Sequence, residues 1–216
     1  MDAPLWILTF AFAITDWLAV EFSWRRVEYA AKPLTLIALI AWFTIALGWK
    51  GALLWFGLGL VFSLLGDVCL MFGGRMFLPG LISFLLAHVA YIAGFNQTPL
   101  PLDPLELLFL AGVLGLDFWL FRKLLSTPAG RGMAYPVAVY MAAIDLMALS
   151  ALVCLLRPEW SRAGAWMVGV GALLFLFSDS LLAYNRFVAP TRHGGLLVMA
   201  SYHLAQIGIV LGLALK

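Results

Sequence analysis

The stretch LLGDVCLMFGGRMFLPGLISFLLAHVAY, Leu64 to Tyr91, places one acid and one imidazole deep inside apolar runs. Neither Asp67 nor His88 has an obvious charged neighbour along the chain. Leaving a carboxylate in such surroundings without a partner costs several kcal/mol. Residues of this kind inside apolar helices are retained for pairing or for chemistry. The runs on either side, broken by Gly73-Gly74-Arg75, have the length and composition of two membrane-crossing helices.

The whole chain repeats that character. Its 216 residues are 64% hydrophobic and 11% charged, with a mean hydropathy of +1.03. A soluble domain carries charge on about a quarter of its residues. The composition therefore specifies an integral membrane protein. A net charge of +2 gives no reason to expect a nucleic-acid partner. Cys69 and Cys154 both fall in apolar runs and read as reduced packing residues rather than a disulfide. The opening Met1-Asp2-Ala3-Pro4 lacks the basic region of a secretory signal, so the first apolar run is expected to be a retained helix.

Reading runs between polar and Gly/Pro breaks gives eight spans: Leu5–Phe22, Pro33–Trp49, Gly51–Phe72, Phe77–Phe95, Pro104–Phe121, Met133–Leu156, Gly164–Phe187 and Gly194–Leu215. The expected fold is an all-α integral membrane protein, a bundle of eight transmembrane helices forming one domain over residues 1–216. The first, third, fifth and seventh loops hold nine basic residues, among them Arg25, Arg26, Lys32, Arg75, Arg122 and Lys123, against four on the other side. The positive-inside rule then places the odd loops in the cytoplasm and both termini outside.

The opening stretch has an echo. LLGDVCLMF at 64–72 resembles LFSDSLLAY at 176–184, and AHVAYIAGF at 87–95 resembles YHLAQIGIV at 202–210. Asp67 aligns with Asp179 and His88 with His203. Asp16-Trp17 and Asp117-Phe118-Trp119 are a weaker correspondence. An offset of four helices keeps orientation, so two parallel repeats are expected, with halves at about 1–103 and 104–216. Asp16, Asp67, Asp179, His88, Tyr140, Tyr202 and His203 all fall roughly 7–17 Å from the odd-loop face at 1.5 Å rise per residue. Lys32, just before Pro33, sits at its rim. The far side carries few such groups beyond Glu106. A polar cavity open at the odd-loop face and closed at the other is therefore expected. Each group also has a plainer reading. Asp67 pairs with Lys32 or Arg75, Asp179 with Arg186, and the histidines bond helix to helix. Trp6, Trp24, Trp49 and Trp160 read as an interfacial belt.

The motifs GDVCLMF, FLPGLISFLLAHVAYIAGF, FSDSLLAYNRF and SYHLAQIGIVLG, with AKPLT at 31–35, resemble the YhhN family of membrane proteins over most of the chain. The resemblance implies an eight-helix architecture and a lysoplasmalogenase activity. That reaction cleaves the vinyl ether of a 1-alkenyl lysoglycerophospholipid to a fatty aldehyde and glycerophosphocholine or glycerophosphoethanolamine. It also marks Lys32, Asp67, His88, Tyr91, Asp179, Asn185 and His203 as functional positions. The expected partners are the lysophospholipid substrate and the bilayer, in a bacterial inner membrane or its equivalent. No cofactor or metal is called for.

Vinyl ether hydrolysis begins with a proton on the β-carbon and passes through an oxocarbenium ion that water traps. It needs a proton donor and a carboxylate beside the cation, as in glycosidases. Apolar surroundings favour the protonated form of a carboxyl, which suits a donor. Asp67 and Asp179 are expected to supply the two carboxyls from equivalent helices, facing one another across the cavity, with His88 or His203 orienting water. Lys32, Asn185 and Arg186 are expected to bind the phosphate, and Tyr91, Tyr140 and Tyr202 to line the substrate's path. Two other readings stay open. One is a metal-dependent lipid hydrolase using the same Asp and His residues, though no His-x-x-x-His is present. The other is a proton-coupled transporter or lipid carrier.

Overall fold

The computed structural model describes residues 3–99 and 104–216. Met1-Asp2 and the centre of the Gln97–Pro104 loop, where the expected boundary between halves falls, lie outside the described residues, as does the side chain of Glu106. All regular structure among the described residues is helical. The elements are α1 (Ala3–Glu21), α2 (Arg25–Ala46), α3 (Ala52–Met71), α4 (Phe77–Phe95), α5 (Pro104–Leu125), the short α6 (Pro128–Gly132), α7 (Ala134–Leu152), α8 (Arg162–Phe187) and α9 (Gly194–Ala214). Single 3-10 turns at Gly74–Met76 and Val153–Leu156 precede α4 and follow α7. Among the described residues, seven helices are long and apolar enough to cross a membrane: α1 to α4 and α7 to α9. Both cysteines are free.

Among the described residues, seven of the eight expected spans are helices long and apolar enough to cross a membrane, and α5 is helical but not one of them. The helix ends agree with the expected runs to within a few residues, with one informative exception. The second helix begins at Arg25 rather than Pro33. Pro33 looks like a helix start because proline suits the first turn. Instead, Ser23 at φ 58° turns the chain, and good helix formers from Arg25 to Lys32 carry the helix through the proline. Lys32 is therefore no loop residue at a rim: it is a buried residue two turns into α2. Arg25 and Arg26 open α2, while Arg122 and Lys123 close the last turn of α5, where positive charge complements the carbonyl end of a helix. The odd-loop cations are thus largely helix-end cations. Trp160 is also corrected: it is buried, with the Lys216 ammonium 4.6 Å above its ring.

The chain forms two compact units, Met1–Gln97 and Thr98–Lys216. In the first, α3 and α4 form the closest helix pair, α1 packs on α2, and α2 meets α3. Glycines make room for rings in the α3–α4 seam: Gly59 lies under Tyr91, Gly66 under Phe84 and Gly94 under Phe56. In the second unit α8 and α9 are the closest pair, with α7 against α8 and α5 against α7. There glycine meets backbone rather than rings. A Cβ on Gly171 would lie 2.9 Å from the Ala205 carbonyl oxygen, and one on Gly212 would lie 2.8 Å from that of Gly164. Small residues permit this close backbone approach where lipid, not water, surrounds the helices.

Candidate functional site

Each unit gathers its own ionisable side chains. In the first, Lys32 of α2 places its Nζ 3.4 Å from Oδ1 of Asp67 on α3, with side chains 9% and 2% exposed. This is the partner that Asp67 lacks along the chain. Asp16 of α1 is wholly buried and lies within electrostatic reach of Lys32 and Asp67. Neither carboxyl oxygen of Asp16 takes a hydrogen bond among the described residues. Lys32 thus pairs with Asp67 and has a second buried acid, Asp16, nearby. His88 and Tyr91 of α4 are wholly buried, and the Tyr91 ring lies against Gly59 of α3.

A cavity of about 330 Å³ opens beside this trio. Arg25, Glu28, Tyr29 and Lys32 of α2 form one wall, and the end of α3 from Leu70 to Gly73 forms the other. Tyr29 donates its hydroxyl to the Met71 carbonyl at 3.3 Å.

In the second unit Tyr140 of α7, itself buried, donates a short hydrogen bond to Oδ2 of Asp179 on the neighbouring α8. Asp179 is half-buried. One residue earlier, Ser178 donates to the Val198 carbonyl at 2.9 Å and ties α8 to α9 beside the acid. Tyr202 and His203 of α9 are buried with ring centres 5.5 Å apart, and Phe175 meets Tyr202 edge-on. Asn185 spends its carbonyl oxygen on the Thr191 amide and hydroxyl, at 2.9 and 2.8 Å, which folds the loop before α9. Arg186 is exposed, with its guanidinium 5.9 Å from the Phe187 ring centre.

Asp117 lies buried within α5, close to Asp145 on α7. Arg157 is likewise buried and donates to the Thr98 carbonyl at 3.3 Å. The Thr98 hydroxyl donates to exposed Glu159 at 2.6 Å and holds its carboxyl below the ordinary range. Among the described residues no three His, Cys, Asp or Glu side chains gather as a metal site.

Sequence reasoning left Asp16 unassigned and missed the cavity on α2 and the Asp117–Asp145 contact. A signal for the cavity was present: positions 25, 28, 29 and 32 share one helix face. It was hidden by starting the helix at Pro33.

These features define a helical, multi-pass membrane protein with ionisable clusters buried inside its helical units. The YhhN family pattern matches residues 27–213, and the chain belongs to the YhhN family. It is 30% identical to lysoplasmalogenase TMEM86B of Mus musculus over 90% of this chain and 78% of that protein. Lysoplasmalogenase TMEM86B of Homo sapiens is 31% identical over 88% of this chain and 76% of its own. Lysoplasmalogenase TMEM86A of Homo sapiens is 34% identical over 71% of this chain and 62% of its own. No solved structure matches the chain.

Proposed function

We propose that the protein is a lysoplasmalogenase, hydrolysing the vinyl ether of a 1-alkenyl lysoglycerophospholipid to a fatty aldehyde and glycerophosphocholine or glycerophosphoethanolamine. The observation that carries this reading is the 30–34% identity, over most of the chain, to proteins named lysoplasmalogenase. The buried acids supply the chemistry such a reaction needs.

We assign the roles from the partner of Asp67. A carboxylate facing an ammonium keeps its charge, so Asp67 serves as the anion that stabilises the oxocarbenium ion and then accepts a proton from water. Asp179 is the other carboxyl of the pair and serves as the donor that protonates the β-carbon. Water adds to the cation to give a hemiacetal. Its carbon–oxygen bond to glycerol breaks, releasing aldehyde and the glycerol hydroxyl. His88 and His203 orient the water. Tyr91, Tyr140 and Tyr202 line the path of the alkenyl chain, and Lys32 spans the reacting carboxylate and the head group. Asn185 and Arg186 are further candidate substrate contacts.

The finer architecture belongs to the same proposal. We infer eight spans, including α5, from two copies of one four-helix unit, since the Asp and His positions recur with the same order. The basic helix ends face the cytoplasm by the positive-inside rule, and the site opens to that side.

The test is a mass-spectrometric assay of the purified protein in detergent. It compares lyso-vinyl-ether, lyso-alkyl-ether and lyso-ester lipids of equal chain length. Aldehyde should appear from the vinyl ether alone. Fatty acid from the ester, or no aldehyde from any vinyl ether, overturns the reading.

A further inference from the structure

The cavity on α2 holds charges that the reaction itself does not use. Arg25, Glu28, Tyr29 and Lys32 follow the spacing i, i+3, i+4, i+7, so they form a single stripe along the helix. The two ends of the stripe differ: Arg25 is exposed, Glu28 is half-buried, Tyr29 is exposed, and Lys32 is buried against Asp67. The stripe therefore runs about 10 Å, at 1.5 Å per residue, from the mouth to the trio of Asp16, Lys32 and Asp67. The opposite wall is fixed: the Tyr29 hydroxyl is bonded to the Met71 carbonyl, and its ring lies 6.2 Å from that of Phe72.

The charges select a ligand class. The Lys32 charge is set against Asp67. That leaves Arg25 and Glu28 as opposite charges facing the cavity. They sit three residues apart, a rise of roughly 4.5 Å. A purely anionic ligand would meet Glu28 and a purely cationic one would meet Arg25. A molecule carrying phosphate and ammonium on a short bridge satisfies both.

We propose that this cavity binds the zwitterionic head group of the lysophospholipid, with Arg25 on the phosphate and Glu28 and Tyr29 on the ammonium. The inference rests on the lysoplasmalogenase reading and names the residues that select its substrate. Arg25 offers the forked guanidinium that matches a phosphate. Glu28 accepts N–H bonds from ethanolamine. The Tyr29 ring face offers a cation–π surface that also suits a quaternary choline. A phosphate held near Arg25 leaves the glycerol to span the stripe, so that the sn-1 oxygen reaches the level of Lys32 and Asp67.

The test uses the full-length protein in detergent and ligands that cannot react. These are the saturated 1-O-alkyl lysoglycerophospholipids bearing ethanolamine, choline or a bare phosphate. Glu28→Gln should weaken binding of both zwitterions about tenfold, some 1.4 kcal/mol, while bare phosphate binds as well or better. Arg25→Gln should weaken all three. Glu28→Lys should turn the preference toward bare phosphate. With the vinyl ether substrate, Glu28→Gln should raise KM and spare kcat. Equal changes across the three head groups, no change in any, or a loss confined to kcat would overturn the assignment. If the wild type binds the inert ethers with this profile but releases no aldehyde, the activity reading falls and the head-group site stands.

Discussion

The two units each build a tight hairpin with an acid on its first helix and a histidine on its second, yet they treat the acid differently. In the first hairpin, α3–α4, Asp67 is buried and faces the Lys32 ammonium. In the second, α8–α9, Asp179 is half-buried and accepts a hydrogen bond from the Tyr140 phenol. In both, the partner comes from the helix just before the hairpin, α2 or α7. The seams differ as well: aromatic rings fill glycine hollows in α3–α4, whereas backbone meets backbone in α8–α9. Two similar motifs can therefore hold an acid in two electrostatic settings.

Removing either acid is the largest test of this contrast. Asp67→Asn and Asp179→Asn should each cut aldehyde release by about 10²–10⁴-fold while the protein stays folded in detergent. Full activity in either variant removes that residue from the mechanism. Comparable losses from both would support a shared task.

The partners separate the two settings. Lys32→Met strands a buried carboxylate and should cost about 3–5 kcal/mol of stability. Tyr140→Phe removes one neutral donor and should cost about 1–3 kcal/mol. Adding Asp67→Asn to the Lys32 variant should restore part of the loss, because only Asp16 of the two acids then remains without the ammonium. Denaturation in detergent measures all three, and equal costs for the two single variants would erase the distinction between the hairpins.

The seams give a smaller test. Gly171→Ala sets a methyl against the fixed backbone of α9, whereas Gly80→Ala meets Leu70 Cδ2, the mobile end of a side chain, at 2.7 Å. The first should cost about 1–3 kcal/mol and the second clearly less. The reverse order would mean that the α3–α4 seam is the more rigid of the two.

The smallest effect lies outside the spans. Thr98→Ala should let the Glu159 carboxyl rise toward its ordinary 4.5, seen by NMR titration. Because the folded value is depressed, the stability this bond contributes is present above the unfolded value and is lost as pH falls through the folded one. An unchanged titration would show that the Thr98 hydroxyl does not hold it.

Much of this was legible along the chain, for definite reasons. Apolar runs bounded by glycine and charge place a span closely, as with Phe77–Phe95, because lipid admits backbone only when it is helical. The matched Asp and His positions marked both hairpins. Lys32 was singled out along the chain, but not as a buried residue. Its setting depended on where α2 begins, and Pro33 imitates a helix start. Asn185 matched a motif, but its bonds to Thr191 appear only once the loop is folded.

The sequence by itself determined an all-helical membrane protein of the YhhN family and named the acids worth following. Composition and periodicity are properties of single helices, and they survive without knowledge of neighbours. Only the tertiary structure decided which charge meets which acid: Lys32 with Asp67, Tyr140 with Asp179, Asp117 with Asp145. Those pairings join residues on different helices, tens of positions apart along the chain. They form because a buried ionisable group must find its partner in space, wherever along the chain that partner lies.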